Sequence, residues 1–156
     1  MPGVGKSTVG VLLAKAMRRA FLDCDLLVQE RERQPLQTLL AEIGAEAFCR
    51  MEEEHILSLR CENTVIATGG SAVYGERAMN RLREMGEVLY LELSLAALER
   101  RLTNLSVRGV VMEEGQALSS LHRERDPLYR RYAHEVIATE GLDQDQVVAA
   151  VLRLTR

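Results

Sequence analysis

Apolar positions along the chain alternate between two spacings. Val9, Leu12, Leu13, Ala16 and Met17 recur at helical intervals and predict a helix over about 6–19. Ala20-Phe21-Leu22 is then a short continuous apolar run that closes in Asp23-Cys24-Asp25, the pattern of a buried strand ending in two acids. Helical spacing returns over 26–33. Pro35 suits the first position of a further helix, with Leu36, Leu39, Leu40 and Ile43 as its stripe and Gly44 as its stop. A long helix is expected over about 45–60, carrying Phe48, Met51, Ile56 and Leu59.

The second half repeats the alternation. Val65-Ile66-Ala67-Thr68 predicts a strand bounded by Gly69-Gly70, and 76–85 a helix. Val88-Leu89-Tyr90-Leu91 is another strand, followed by a helix capped by Ser94 and reaching about Leu102. Residues 103–116 have weak periodicity, two glycines and both charge signs, and read as a mobile loop. A helix over 117–132, a strand over 135–139 and a last helix capped by Asp143 complete the chain. Strands alternating with helices predict a parallel sheet with helices on its faces, within one domain of 156 residues.

The chemistry is concentrated at the start. Gly3-Val4-Gly5-Lys6-Ser7-Thr8 reads as most of a phosphate-binding loop, G-x-x-x-x-G-K-[ST], running straight into the first helix. Glycines let successive backbone N–H groups turn inward around phosphates. The lysine adds a point charge, the hydroxyl of Ser7 reaches Mg²⁺, and the helix adds its positive end. Lysine is otherwise almost avoided: Lys6 and Lys15 stand against eighteen arginines. The pattern's opening glycine would precede Met1, as would the strand that ordinarily feeds such a loop, so a truncated record of a longer protein is expected.

Composition narrows the partners. A net charge of −3 gives no general attraction to nucleic acid or to anionic membranes, and aromatics, at 4%, supply no base-stacking platform. Three cysteines without metal spacing, no signal peptide and no membrane-length apolar run predict a cytoplasmic protein. Asp23-x-Asp25 lies at the carboxyl end of a strand, where open α/β sheets bind ligands; helix capping is the alternative for acids there.

With these landmarks in order, the chain resembles the shikimate kinase family of P-loop kinases. The resemblance runs over essentially the whole chain: the loop, Asp23-Cys24-Asp25, Glu46-Ala47-Phe48-x-Arg50-x-Glu52, Ala67-Thr68-Gly69-Gly70, Arg108, and Arg125-Asp126-Pro127-Leu128-Tyr129. It implies a three-layer αβα fold whose parallel sheet runs 2-3-1-4-5, the first and central strand being the one absent here. It implies a lid at about 103–116 and an acceptor-binding region at about 25–52. The implied reaction is ATP- and Mg²⁺-dependent phosphorylation of shikimate to shikimate 3-phosphate, a step of aromatic amino acid biosynthesis, by a monomer.

Carried over residue by residue, the resemblance gives Gly3, Val4, Gly5, Lys6, Ser7 and Thr8 to the nucleotide, and Arg101 to its adenine side. Ser7 and Asp23 fall to the metal. Asp25 meets the hydroxyl to be phosphorylated, Gly69 and Gly70 bring backbone N–H groups to substrate and γ-phosphate, Arg108 reaches the transferring phosphate from the lid, and Arg125 grips the substrate carboxylate. Three positions depart from the family pattern. Cys49 replaces an arginine that shares the carboxylate grip, a loss of roughly 1.5–3 kcal/mol of charge-assisted hydrogen bonding. Ser71 replaces a third glycine and adds a hydroxyl beside the substrate. Gly109 replaces a proline and loosens the lid. A kinase with another small acceptor, and a catalytically impaired nucleotide-binding relic, are the alternative readings.

Overall fold

The computed structural model describes residues 1–103 and 117–154. Its elements follow one another as the periodicities predict. Helix α1 (Lys6–Met17) leads to strand β1 (Ala20–Asp23), then α2 (Cys24–Glu32) and α3 (Leu36–Leu57). Strand β2 (Thr64–Ala67), a 3-10 turn at Ala72–Tyr74 and α4 (Glu76–Met85) come next. The chain continues through β3 (Leu89–Glu92), α5 (Leu95–Thr103), α6 (Leu118–Tyr132), β4 (Glu135–Ala138) and α7 (Gln144–Leu154). Gly44 interrupts the helical backbone as expected of a stop: at φ 77° and ψ 167° it separates two helical runs within α3, and its left-handed φ suits a residue without Cβ. One local expectation shifts. Pro35 stands as the N-cap of α3 rather than its first residue.

Strand β1 pairs with β2 in parallel, Ala20 opposite Thr64 through Asp23 opposite Ala67. Strand β3 pairs with β4 in parallel, Leu89 opposite Glu135 through Glu92 opposite Ala138. The order 2-3-1-4-5 without its first member predicts these two pairs, and β2 and β3 both border one cavity of about 1030 Å³. Val9 and Leu13 of α1, Leu82 of α4 and Val151 of α7 line the same space. The apolar core follows the layers. Val9 and Leu13 pack with Ile137, Val147, Val148 and Val151, and Ile56, Leu59, Met79 and Leu82 fill the opposite side. Ser94 accepts from the N–H of Ala97, and Asp143 and Gln146 cap one another reciprocally, which fixes where α5 and α7 begin.

Candidate active site

The loop before α1 is held from several directions. Gly3 and Gly5 take φ of 75° and 99°, conformations closed to most side chains. Gly5 is the N-cap of α1, so the helix's first N–H groups open toward the loop. Met1 and Val4 are buried against Leu93, Ala97, Leu98 and Leu121. Arg101 of α5 donates from Nη1 to the Val4 carbonyl at 3.1 Å, which brings this predicted nucleotide residue to the loop itself. The Lys6 ammonium donates to the Met1 carbonyl at 2.9 Å, so the loop closes around its own cation. Burial lowers the Lys6 pKa, while the carboxylate of Asp25 is the first charge to oppose that fall.

The two acids at the end of β1 divide their work. Asp23 is the N-cap of α2, its Oδ1 accepting from the N–H groups of Asp25 and Leu26 at 2.9 and 3.3 Å. Asp25, one turn position further, is half-buried and faces Lys6. Burial raises its carboxyl pKa, Lys6 draws it down, and Asp23 adds to the rise. Of the two alternatives for Asp-x-Asp, capping therefore falls on Asp23 through its Oδ1, and Asp25 takes no part in it.

The turn after β2 draws in side chains from α2, α3 and α6. A Cβ on Gly69 would stand 2.0 Å from Oε1 of Glu52 and 2.8 Å from Oδ1 of Asp25, so only glycine leaves both carboxylates in place. A Cβ on Gly70 would meet Nη1 of Arg125 at 3.1 Å. The Gly70 carbonyl is pinned by the Tyr129 hydroxyl, which donates to it at 2.7 Å, and the Tyr129 ring stacks on Tyr90 with centroids 5.0 Å apart. Ser71 is buried, and its hydroxyl donates to Oε2 of Glu52 at 2.5 Å.

Arg125 is 1% exposed, although four arginines crowd its helix. It shares the inner face of α6 with Leu121 and Tyr132, whereas Arg123, Arg130 and Arg131 lie on the solvent face. Its Nε donates to the Tyr74 hydroxyl at 3.0 Å, and Tyr74 donates onward to Glu124 at 2.6 Å. Burying a guanidinium is costly unless partners replace its water, and its neighbours here supply them. Cys49 of α3 is half-buried; burial raises its thiol pKa, with Glu52 adding and Arg125 subtracting, so it lies within reach of both charges. Arg50, its neighbour, is exposed and pairs with Glu46 on the surface, so it does not fill the vacated arginine position.

The site thus gathers Lys6, Asp25, Gly69, Gly70, Ser71, Arg125 and Cys49, with Arg101 and Asp23 at its borders. Arg108 and the predicted lid lie outside the described residues, apart from Thr103 at the end of α5. Glu52, Tyr74 and Tyr129 are functional candidates that carried no assigned task in the sequence. Glu52 had a legible signal: Phe48, Glu52 and Ile56 repeat every fourth residue and are all buried, a carboxylate on an otherwise apolar stripe.

A family model described as Shikimate kinase matches residues 2–156. The chain belongs to the shikimate kinase family. It is 37% identical over 154 residues to the shikimate kinase of Dechloromonas aromatica, covering 97% of this chain and 84% of that one. It is 39% identical over 145 residues to that of Paracidovorax citrulli, covering 90% of this chain and 79% of the relative. Among solved structures, the shikimate kinase of Acinetobacter baumannii in complex with shikimate superposes with a TM-score of 0.86 at 29% identity, covering 98% of this chain and 87% of that one. The shikimate kinase of Aquifex aeolicus superposes with a TM-score of 0.83 at 27% identity. The activity of this shikimate kinase family member is ATP-dependent phosphorylation of a hydroxyl, with shikimate as acceptor. No helix among the described residues is long and apolar enough to cross a membrane.

Proposed function

We propose that this chain performs the family reaction with Asp25 as the acceptor-side base, Lys6 and Arg108 as the phosphate-side cations, and Arg125 as the grip on the shikimate carboxylate. The observation that carries this reading is the convergence of Asp25, Arg125 and the Gly69–Ser71 turn beside the Lys6 loop. Asp25 orients the shikimate hydroxyl and accepts its proton as the oxygen–phosphorus bond forms. The bond from the γ-phosphorus to the bridging oxygen breaks and leaves ADP. Lys6 and the N-terminus of α1 hold the charge that accumulates on the transferring oxygens.

The residues present fit Mg²⁺: the exposed Ser7 hydroxyl and the Asp23 carboxylate, whose Oδ1 caps α2, are hard oxygen donors, and Asp23 would hold the ion through water. The ion would supply charge neutralisation between the phosphates. Gly3 to Thr8 carry the nucleotide, and Arg101, anchored on the Val4 carbonyl, borders its adenine side. Residues 1–156 then act as one domain with an acceptor region at about 25–52 and a lid at about 103–116. A monomer in a reducing cytoplasm, with no nucleic-acid or membrane partner, completes the reading; the net charge of −3 and three cysteines outside any disulfide support it.

The test is a coupled ADP-release assay over hydroxylated acids, polyols, amino alcohols and nucleosides, with and without Mg²⁺. Turnover on shikimate that needs the metal is the expected result. Turnover on another acceptor and none on shikimate would overturn it. A second prediction arises at position 49. Restoring the guanidinium with Cys49→Arg is expected to lower the KM for shikimate by roughly 10- to 150-fold, with a smaller change in kcat, because the gain is in ground-state binding.

A further inference from the structure

The acceptor pocket contains an acid that the proposed mechanism does not use. Glu52 is 2% exposed, carried inward by α3 between Phe48 and Ile56. One carboxylate oxygen takes the Ser71 hydroxyl. The other points at Gly69, toward the same spot as Oδ1 of Asp25. These two oxygens are therefore no more than about 5 Å apart, the range in which like charges oppose joint ionisation. Cys49, on the same helix, lies close enough to feel the Glu52 charge, and its thiol brings no cation to offset it.

An anionic acceptor must enter this space. With Asp25 ionised for its task, an ionised Glu52 would put a second negative charge beside the acceptor. We propose that Glu52 is a specificity-determining residue that admits an anionic acceptor when it carries a proton, and that Ser71 is the positioning residue that sets it. This rests on the reading above, in which a carboxylate-bearing acceptor is held by Arg125 and phosphorylated beside Asp25.

The charges around Glu52 agree. Lys6 faces it from α1, Asp25 and Cys24 from α2, Cys49 from its own helix, and Arg125 and Tyr129 from α6. Burial, reinforced by Asp25, pushes its carboxyl up to about 7, against the hydrogen bond from Ser71 and the attraction of Arg125 and Lys6. In the working complex, Lys6 serves phosphate and Arg125 the acceptor carboxylate, which weakens the pull of both cations on Glu52. A neutral acid remains a hydrogen-bond donor for an acceptor hydroxyl, whereas an ionised one only accepts.

Steady-state kinetics with shikimate, from about two pH units below neutrality to two above, decide the matter for the parent, Glu52→Gln and Ser71→Ala. In the parent, KM should rise about tenfold per pH unit on the alkaline side. Glu52→Gln mimics the protonated acid and should lose that rise. Ser71→Ala removes the bond that favours the ionised form, so the rise should begin at higher pH. A structural role alone would alter stability without moving the pH dependence. Calorimetry of shikimate binding in buffers of different ionisation enthalpy adds a readout independent of turnover: on the alkaline side the parent should take up a proton that Glu52→Gln does not.

Turnover with a pH-independent KM, the same in parent and Glu52→Gln, overturns the proposal and leaves the reaction assignment standing. Binding with proton uptake but without turnover removes the reaction assignment and leaves the proposal standing. Absence of both binding and turnover overturns both. Should Glu52→Gln fail to fold, an unmoved pH dependence in Ser71→Ala overturns the proposal by itself.

Discussion

Replacing Lys6 by methionine is expected to lower kcat by roughly 10²- to 10³-fold while the chain stays folded, the scale of losing one preorganised charge at a transition state. Lys6 is the cation inside the loop, with Nζ on the Met1 carbonyl at 2.9 Å and its charge opposed by burial and supported by Asp25. Methionine keeps the length and the apolar stem and removes the ammonium. The carbonyl of Met1 loses a donor, a stability cost of about 1 kcal/mol. Arginine at the same position should not restore activity. A planar guanidinium does not fit where glycines wrap the loop around a compact ammonium, and eighteen arginines elsewhere show that the chain uses the larger cation freely. ADP-release rates with circular dichroism spectra decide it: a folded Lys6→Met variant within a few-fold of the parent kcat would mean that the loop does not serve the transferring phosphate.

How much of this could be read from the chain differs between backbone and side chains. Strand and helix order was legible because burial in a layered fold imposes two periods, and each segment shows its own. Gly44 was legible as a break because a residue without Cβ takes the left-handed backbone that interrupts the helical run between Leu39 and Phe48. Asp-x-Asp was ambiguous, since capping and catalysis both want an acid at a strand's end. The backbone separated them by giving Asp23 the N–H groups of α2 and leaving Asp25 half-buried and opposite Lys6.

Arg125 shows the opposite case. Its residue type is common and its neighbours are arginines, so composition could not single it out. Its register with Leu121 could, because a residue four positions from a core leucine shares its face. Glu52 lies in the same register with Phe48 and Ile56. The partner it chose, Ser71, is nineteen residues away on another element, and no local pattern announces that pairing. The two departures at 49 and 71 thus become one feature only in three dimensions, since both border the Glu52 carboxylate.

Asp25→Asn gives the other large effect, and it separates catalysis from stability. A general base is worth about 10²- to 10⁴-fold, so kcat should fall by that factor, with a smaller change in the KM for shikimate, whose carboxylate grip is elsewhere. Burial raises the Asp25 pKa above its ordinary value in the folded chain, with Lys6 only partly opposing. A carboxyl raised in this way contributes stability in its protonated form, fully present below the unfolded-state pKa and lost as pH rises through the folded one. Asparagine imitates the protonated form at every pH. At neutral pH the variant should therefore melt no lower than the parent, and its advantage should vanish as the buffer is acidified and the parent's own carboxyl becomes neutral. Thermal melts across that range, run beside the kinetics, distinguish the outcomes. A fall in kcat with a maintained or raised Tm assigns the proton to Asp25; an unchanged kcat removes it from the mechanism, and a lowered Tm removes the physical account of its burial.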